Sequence, residues 1–303
     1  MITVVGSLNY DLTARAPRFP CPGESLVGSA FHTACGGKGA NQAYAVARLG
    51  GAARMIGCVG RDTFGEAVLG SLRQVGVDTS HVLIRSHVPT GVAIILLDAS
   101  GQNAIVVVPG ANATLRAEDV YQVADVLRAS DTVIAQLETT LEATHHAMAI
   151  ARAAGKRTVL NPAPFTPIDD ALLSLCDYVI PNEHEAAQLT GLPVHDPPTA
   201  HAAAQALRRR GAANVLITLG AQGVWLETPE WCGLVPAFSV AAADTTAAGD
   251  VFIGAFATRL GEGADPRTAA RFACAAAAIA VTRPGAQPSV PTRHEVDAFL
   301  QAH

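Results

Sequence analysis

Short apolar, β-branched runs recur along the chain, and between them lie stretches in which Ala, Leu and Val return at helical spacing. Strand-like runs at 1–7, 53–59, 132–135, 158–160, 178–180 and 215–218 alternate with helical runs at 39–49, 63–75, 141–154, 183–189 and 199–210. Strands that are apolar throughout, rather than at every second residue, are buried on both faces. Alternation of such strands with helices predicts βαβ units, hence an α/β fold with a central, mostly parallel sheet and helices on both faces. Two regions break the rhythm. Residues 25–33 alternate weakly, and the runs 91–97 and 103–108 flank Asp98-Ala-Ser-Gly101, a hairpin signal. These pieces predict a small second sheet beside the first, with further short β pieces at 224–226 and 234–235. No long linker divides the chain, so one domain over 1–303 is expected.

The 303 residues are 50% hydrophobic and 16% charged, which suits a sizeable core and excludes global disorder. The net charge is −5, and no basic cluster exceeds Arg208-Arg209-Arg210, so nucleic-acid binding is not expected. The apolar stretch 272–281, between Arg271 and Arg283, is too short to span a bilayer. None of the six cysteines forms a C-x-x-C pair, and no secretory leader is evident, which points to reduced thiols in the cytoplasm.

The segment Asp244-Thr-Thr-Ala-Ala-Gly-Asp250 opens into an apolar helical run at 251–260. Small residues at a helix start let backbone N–H groups converge on an anion, and the helix dipole adds to the attraction. Asp250 would repel a resident anion. The conflict resolves if the anion is a phosphoryl group in transit and Asp250 takes a proton from its acceptor. The plainer alternative is a capping Asp244 and a tight turn. In Cys35-Gly-Gly-Lys-Gly-Ala-Asn-Gln42, glycines let backbone approach a ligand at a helix start, while Lys38 and Asn41 add donors. The segment matches neither a Walker A loop nor the dinucleotide fingerprint. Asn9 and Asp11, two apart on extended chain, face one side and suit vicinal hydroxyls, or equally a turn. In Pro181-Asn-Glu-His-Glu185 the acids suit a helix dipole or a Mg²⁺–phosphate site. Zinc is rejected, because Gln188 stands where a second histidine would be. Thr218-Leu-Gly-Ala-Gln-Gly223 suits a nucleotide cleft at a strand end, or a hairpin-like turn.

Taken in order, Asn9-x-Asp11, Gly36-Gly-Lys-Gly-Ala-Asn41, Glu138, Asn161-Pro-Ala-Pro164, Asn182-x-x-Glu185, Thr218-Leu-Gly220, Asp244 to Asp250 and Arg283-Pro-Gly-Ala-Gln-Pro-Ser289 resemble the ribokinase-like (PfkB) carbohydrate kinase family over essentially the whole chain. The resemblance implies a β lid, built from segments near 10–35 and 88–110, that covers a sugar and joins two copies as a homodimer. It implies ATP-dependent phosphorylation of D-ribose at the 5-hydroxyl. Asp250 would be the base, with the N–H groups of Ala247, Ala248 and Gly249 as anion hole. Asn9, Asp11, Gly37, Lys38, Gly39, Asn41 and Glu138 would surround the sugar. Asn182, Thr218, Gly220, Gly223 and Gly249 would line the ATP site, with Cys274 approaching the nucleotide. Glu185 would support Mg²⁺ indirectly, and K⁺ would sit by Asp244, Thr246, Ala280, Arg283, Gly285 and Ser289, mainly on backbone oxygens. The chain departs from the family at Ala221-Gln222 and Cys274, which bear on nucleotide affinity, and at Pro284, which bears on the cation response. The rival expectations are a deoxyribose or nucleoside kinase of the same family and a non-catalytic sugar- or nucleotide-binding regulator. The intact turn with Asp250 argues against the regulator.

Overall fold

A computed structural model describes all 303 residues. The strands are β1 (Ile2–Val5), β2 (Asn9–Arg15), β3 (Ala30–Gly36), β4 (Ala53–Gly60), β5 (Asp78–Arg85), β6 (Gly91–Leu97), β7 (Asn103–Val108), β8 (Thr132–Ala135), β9 (Arg157–Leu160), β10 (Tyr178–Val179), β11 (Asn214–Thr218), β12 (Gly223–Glu227) and β13 (Cys232–Pro236). Nine of them form one sheet in the order β13-β12-β11-β10-β9-β8-β1-β4-β5. From β11 to β5 the neighbours run parallel, as the apolar runs predict, and β12 and β13 close one edge antiparallel. The remaining four strands make a separate sheet in the order β3-β2-β6-β7. Its β6 and β7 occupy the two runs read as a hairpin, whereas β3 begins five residues later than the weak alternation at 25–33 suggests.

The helices are α1 (Lys38–Arg48), α2 (Thr63–Gln74), α3 (Ala117–Gln122), α4 (Ala124–Arg128), α5 (Leu141–Ala153), α6 (Asp170–Ser174), α7 (Glu183–Thr190), α8 (Pro197–Arg209), α9 (Ala248–Gly261), α10 (Pro266–Ala280) and α11 (Arg293–Ala302). Local chemistry starts most of them: Asp62, Thr140, Asp169, Asn182, Asp196, Asp265 and Thr292 each accept a cap hydrogen bond from the first turn of the helix that follows. Helices α1, α9 and α10 pack on the sheet through a core that includes Phe252, Phe256, Phe272 and Tyr178. No helix is long and apolar enough to cross a membrane.

This topology places the site. The chain leaves β1 for β4 and β5 on one side and later returns to β8 on the other, so the strand order reverses between β1 and β8. The crevice at the carboxyl ends of strands at such a switch point is where open α/β sheets bind ligands. Ser7 and Asn9 follow β1, Gln136 and Glu138 follow β8, Asn161 follows β9, Asn182 follows β10, and Thr218 ends β11.

Candidate active site

Helix α9 begins at an unusual turn. Ala247, its N-cap, sits in the left-handed region at φ 58°, the one non-glycine residue to do so. That conformation costs an alanine about 1–2 kcal/mol and is held only where the surroundings enforce it. It turns the chain so that the N–H groups of Gly249 and Asp250 meet no backbone acceptor. Of the three N–H groups expected to form an anion hole, that of Ala248 donates to Thr245 O at 3.2 Å. The unshared donors of the turn are therefore those of Ala247, Gly249 and Asp250. A cavity of about 220 Å³ opens on this turn, lined also by Lys38, Asn161, Asn182, Glu185, Thr218 and Thr245.

Asp250 is buried, with 6% of its surface exposed. Its Oδ2 accepts from Asn41 Nδ2 at 3.1 Å and its Oδ1 from Gln42 Nε2 at 2.9 Å. Burial raises its pKa; Lys38 and the Gln42 and Asn41 amides pull it down, Glu138 pushes it up, and the net direction is upward. Burial opposes the Lys38 ammonium, yet Asp250, Glu138 and Glu185 outweigh that and hold its pKa above the usual lysine range. A charged lysine among carboxylates thus faces the cavity. Lys38, expected beside the sugar, lines the same space as Asn182 and Thr218 on the nucleotide side.

Glycines bring the sugar-side residues together. Gly37 adopts φ 88°, and a Cβ there would lie 2.7 Å from Asn9 N. At Gly36 a Cβ would lie 2.3 Å from Asp11 Oδ2. The segment 36–39 therefore runs against the β1–β2 connection. Glu138 accepts from Lys38 N at 3.0 Å and from the Ser7 hydroxyl, so it caps α1 as well as facing the crevice. Asn9 Oδ1 accepts from Asn112 Nδ2 at 2.7 Å, and Asn112 Oδ1 accepts from Leu8 N at 2.9 Å. Asp11 has its pKa raised to about 6 by burial first, then by Glu138 and Asp250. Asn9, Asp11, Gly37, Gly39, Asn41, Glu138 and Asp250 thus form one group around the switch point.

On the other side, Asn182 pairs with Thr218 across a parallel bridge. Asn182 Oδ1 accepts from Glu185 N at 2.8 Å and Glu185 Oε2 accepts from Asn182 N at 2.9 Å, a capping box on α7. The helix-start reading of this motif is therefore realised, and Glu185 still lines the cavity. Burial raises the Glu185 pKa against the opposing pull of the Asn182 N–H and Lys38. Gly220 and Gly223 flank the turn after β11, at φ 51° and φ 114°. Cys274, expected to approach the nucleotide, is buried on α10, with burial pushing its thiol up to about 12.

The two segments expected to hold K⁺ do meet. Asp244 Oδ2 accepts from Gly285 N at 2.8 Å, and its Oδ1 accepts from the Thr246 amide and hydroxyl at 2.9 and 2.6 Å. Ala243 and Asp244 also donate to Val281 O. Arg283 does not pair with Asp244; it meets Glu295 at 2.6 Å. Ser289 Oγ donates to Ala286 O, and Ala280 O accepts from Arg283 N. Carboxylate, hydroxyl and carbonyl oxygens at this junction are hard donors of the kind an alkali cation takes. No group of three or more His, Cys, Asp or Glu forms a dedicated metal cage.

Four residues of this site were not singled out from the sequence: Gln42, Gln136, Asn112 and Gln287. Gln287 Nε2 donates to Asn41 Oδ1 at 3.4 Å and its Oε1 accepts from Ser71 at 2.6 Å. Gln42 and Gln287 each lie inside a quoted motif, and Gln136 opens the Gln-Leu-Glu138 stretch, the one signal that pointed to them.

Comparison with known proteins agrees with this geometry. Residues 1–293 match the model of the pfkB family carbohydrate kinases. The chain is 44% identical to ribokinase of Haemophilus influenzae, over 99% of this chain and 98% of that protein. It is 37% identical to deoxyribokinase of Salmonella typhi, again over 99% and 98%. The structure of Arabidopsis thaliana ribokinase complexed with ribose and ATP superposes with a TM-score of 0.93 at 32% identity, covering 99% of this chain and 98% of that one. A family match over residues 1–293 and a 44% identical relative covered almost end to end leave one conclusion: the chain belongs to the pfkB family of carbohydrate kinases.

Proposed function

We propose that this chain transfers the γ-phosphoryl group of ATP to the 5-hydroxyl of D-ribose. The observation that carries the reading is the buried Asp250 carboxylate set beside unshared N–H donors at the start of α9 and open to a cavity. Asp250 takes the proton of the 5-hydroxyl. The hydroxyl oxygen attacks the γ-phosphorus, the bond from that phosphorus to the β–γ bridging oxygen breaks, and ADP leaves. A raised pKa makes Asp250 a stronger base than a surface aspartate. The N–H groups of Ala247 and Gly249, and of Asp250 itself, meet charge developing on the phosphoryl oxygens without reorganising. Lys38 adds a point charge from the same cavity wall. Asn9, Asp11, Gly37, Gly39, Asn41 and Glu138 bind the sugar. Asn182, Thr218, Gly220, Gly223 and Gly249 bind the nucleotide.

Glu185 would support Mg²⁺ indirectly, and the metal would supply charge neutralisation at the ATP phosphates. The junction of Asp244, Thr246, Ala280, Arg283, Gly285 and Ser289 would hold K⁺ and so order the turn that leads into α9. The four-stranded sheet closes over the sugar and excludes water that would compete as acceptor. All six residues of β7 are exposed, Val106 at 61%. An open apolar edge of this kind calls for a partner, and two lids facing each other in a homodimer supply it. Six free cysteines suit a cytoplasmic enzyme.

A second reading, a deoxyribose kinase, draws on the 37% identical deoxyribokinase. A coupled ADP-release assay over ribose, 2-deoxyribose and nucleosides separates the two. Ribose is expected to give the highest kcat/KM. Asp250→Asn is expected to lower turnover by about 10²–10⁴-fold while ribose binding, read by calorimetry, is nearly unchanged. Near-parental turnover of Asp250→Asn, or no ribose-dependent ADP release by the parent, refutes the assignment.

A further inference from the structure

The buried amides beside Asp250 can be ordered in one way only. A carboxylate accepts hydrogen bonds and does not donate. Gln42, fully buried on α1, donates from Nε2 to Asp250 Oδ1 at 2.9 Å and to Asn161 Oδ1 at 3.2 Å, so both hydrogens of that nitrogen are used. Asn161 is free to accept because its Nδ2 donates to Ile180 O at 2.9 Å. Gln42 Oε1 then points away from Asp250 and accepts from Gln136 Nε2 at 2.6 Å. The remaining oxygen, Gln136 Oε1, is buried and finds no partner. An orphaned buried acceptor is costly, because it gives up its water without a replacement. Turning Gln136 over would set its Oε1 against that of Gln42. Turning both over would set Gln42 Oε1 against the carboxylate. The orphaned oxygen is thus the consequence of presenting a donor to Asp250.

Packing serves the same contact. Gly254 lies one helical turn beyond Asp250 on α9, and Ala45 lies just under one turn beyond Gln42 on α1. A Cβ at Gly254 would lie 2.6 Å from Ala45 Cβ and 3.0 Å from Gln42 O. The missing side chain lets the two helices approach closely enough for the amide to reach.

We propose that Gln42 is a positioning residue for Asp250: its amide clamps Oδ1 and so fixes the orientation of the carboxylate that receives the sugar proton. Oδ2 takes one protein hydrogen bond, from Asn41. The proposal rests on the reading of Asp250 as the base. Gln42 itself has no donor left for a substrate. A hydrogen bond to the ionised form favours that form. The charged groups that also face Asp250 are Lys38 of α1, Asp11 of β2, Glu138 after β8 and Glu185 of α7. None of them is removed when Gln42 is changed.

Gln42→Met keeps the length and removes the donor. Expected are a fall of about tenfold or more in kcat at pH 7, a nearly unchanged KM for ribose, and an acid limb of the kcat profile moved upward by about one pH unit. Gln42→Glu should move the limb further, because two carboxylates then share the site. Gln136→Met, one bond removed and free of the orphaned oxygen, should fold at least as well and move the limb the same way by less. A purely structural Gln42 would lower Tm with the limb in place. An active parent whose limb is unmoved in all three variants overturns the positioning role and leaves the base assignment standing. A parent without ribose-dependent turnover overturns the assignment itself.

Discussion

Asp11 offers a sharp test of how the sugar side of the crevice is built. Its carboxylate is pushed from 3.8 to about 6 by burial and by the charges of Glu138 and Asp250. The folded chain therefore binds a proton at Asp11 that the unfolded chain has already released between about pH 4 and pH 6. Where the native state binds more protons, stability falls as pH rises. The penalty is absent below pH 4, grows through that window and is complete above pH 6. A shift of about two pH units at 1.36 kcal/mol each sets a ceiling of about 3 kcal/mol. Solvent reaching the partly exposed side chain reduces this to about 1–2 kcal/mol.

Asp11→Asn removes the charge and keeps the shape. The variant should be more stable than the parent at pH 8 by about 1–2 kcal/mol, or about 2–4 °C in Tm for a chain of this size. At pH 4.5 the advantage should shrink to about a third of that. Function should move oppositely. The ionised carboxylate accepts from sugar hydroxyls, so ribose binding by the parent without nucleotide should weaken as pH falls below about 6. Asp11→Asn should bind ribose more weakly at pH 8 and with little dependence on pH. Paired thermal melts and calorimetric titrations at the two pH values suffice. An Asp11→Asn variant less stable than the parent at pH 8, or a Tm difference equal at both pH values, refutes the electrostatic account.

Three further outcomes are expected. 2-Deoxyribose should be the poorer substrate by about 1–3 kcal/mol in kcat/KM, the cost of leaving a buried polar partner of the missing hydroxyl unpaired; equal specificity constants would favour the deoxyribose reading. KCl titrated against a bulky organic-cation chloride at constant ionic strength should raise turnover at saturating Mg-ATP and ribose, because the Asp244–Gly285 junction leads directly into the 247–249 turn; a flat response removes the cation site. Light scattering should give a dimer for the parent and a monomer for Val106→Asp, which sets a charge on the exposed β7 edge; a monomeric parent refutes the lid interface.

The central sheet was legible because its parallel strands are buried on both faces and so are apolar throughout. What escaped the pattern lies where that burial fails. Strand β5, Asp78-Thr-Ser-His-Val-Leu-Ile-Arg85, is the sheet's outer strand, and most of its residues keep some contact with solvent. Polar side chains are tolerated there, and the apolar run dissolves. Helix α11 has a single fully buried residue, Val296, and α3, α4 and α6 are too short to show a period.

In the site, legibility followed chemistry that is local in sequence. The 244–250 segment was readable because a carboxylate beside a small-residue helix start is already a contradiction that only an incoming group resolves. Gln42 carried no such contradiction. Its meaning depends on Gln136, 94 positions away, and Asp250, 208 positions away, which together decide which end of its amide faces the carboxylate. The same holds for Gln287, whose amide touches Asn41 across 246 positions. Gly254 gains its meaning only where α1 lies against it. A residue that acts on another side chain is visible only once the fold has chosen its neighbours, and here that choice leaves a trace in one buried oxygen without a partner. That oxygen marks where local hydrogen bonding gives way to the demand of a single carboxylate.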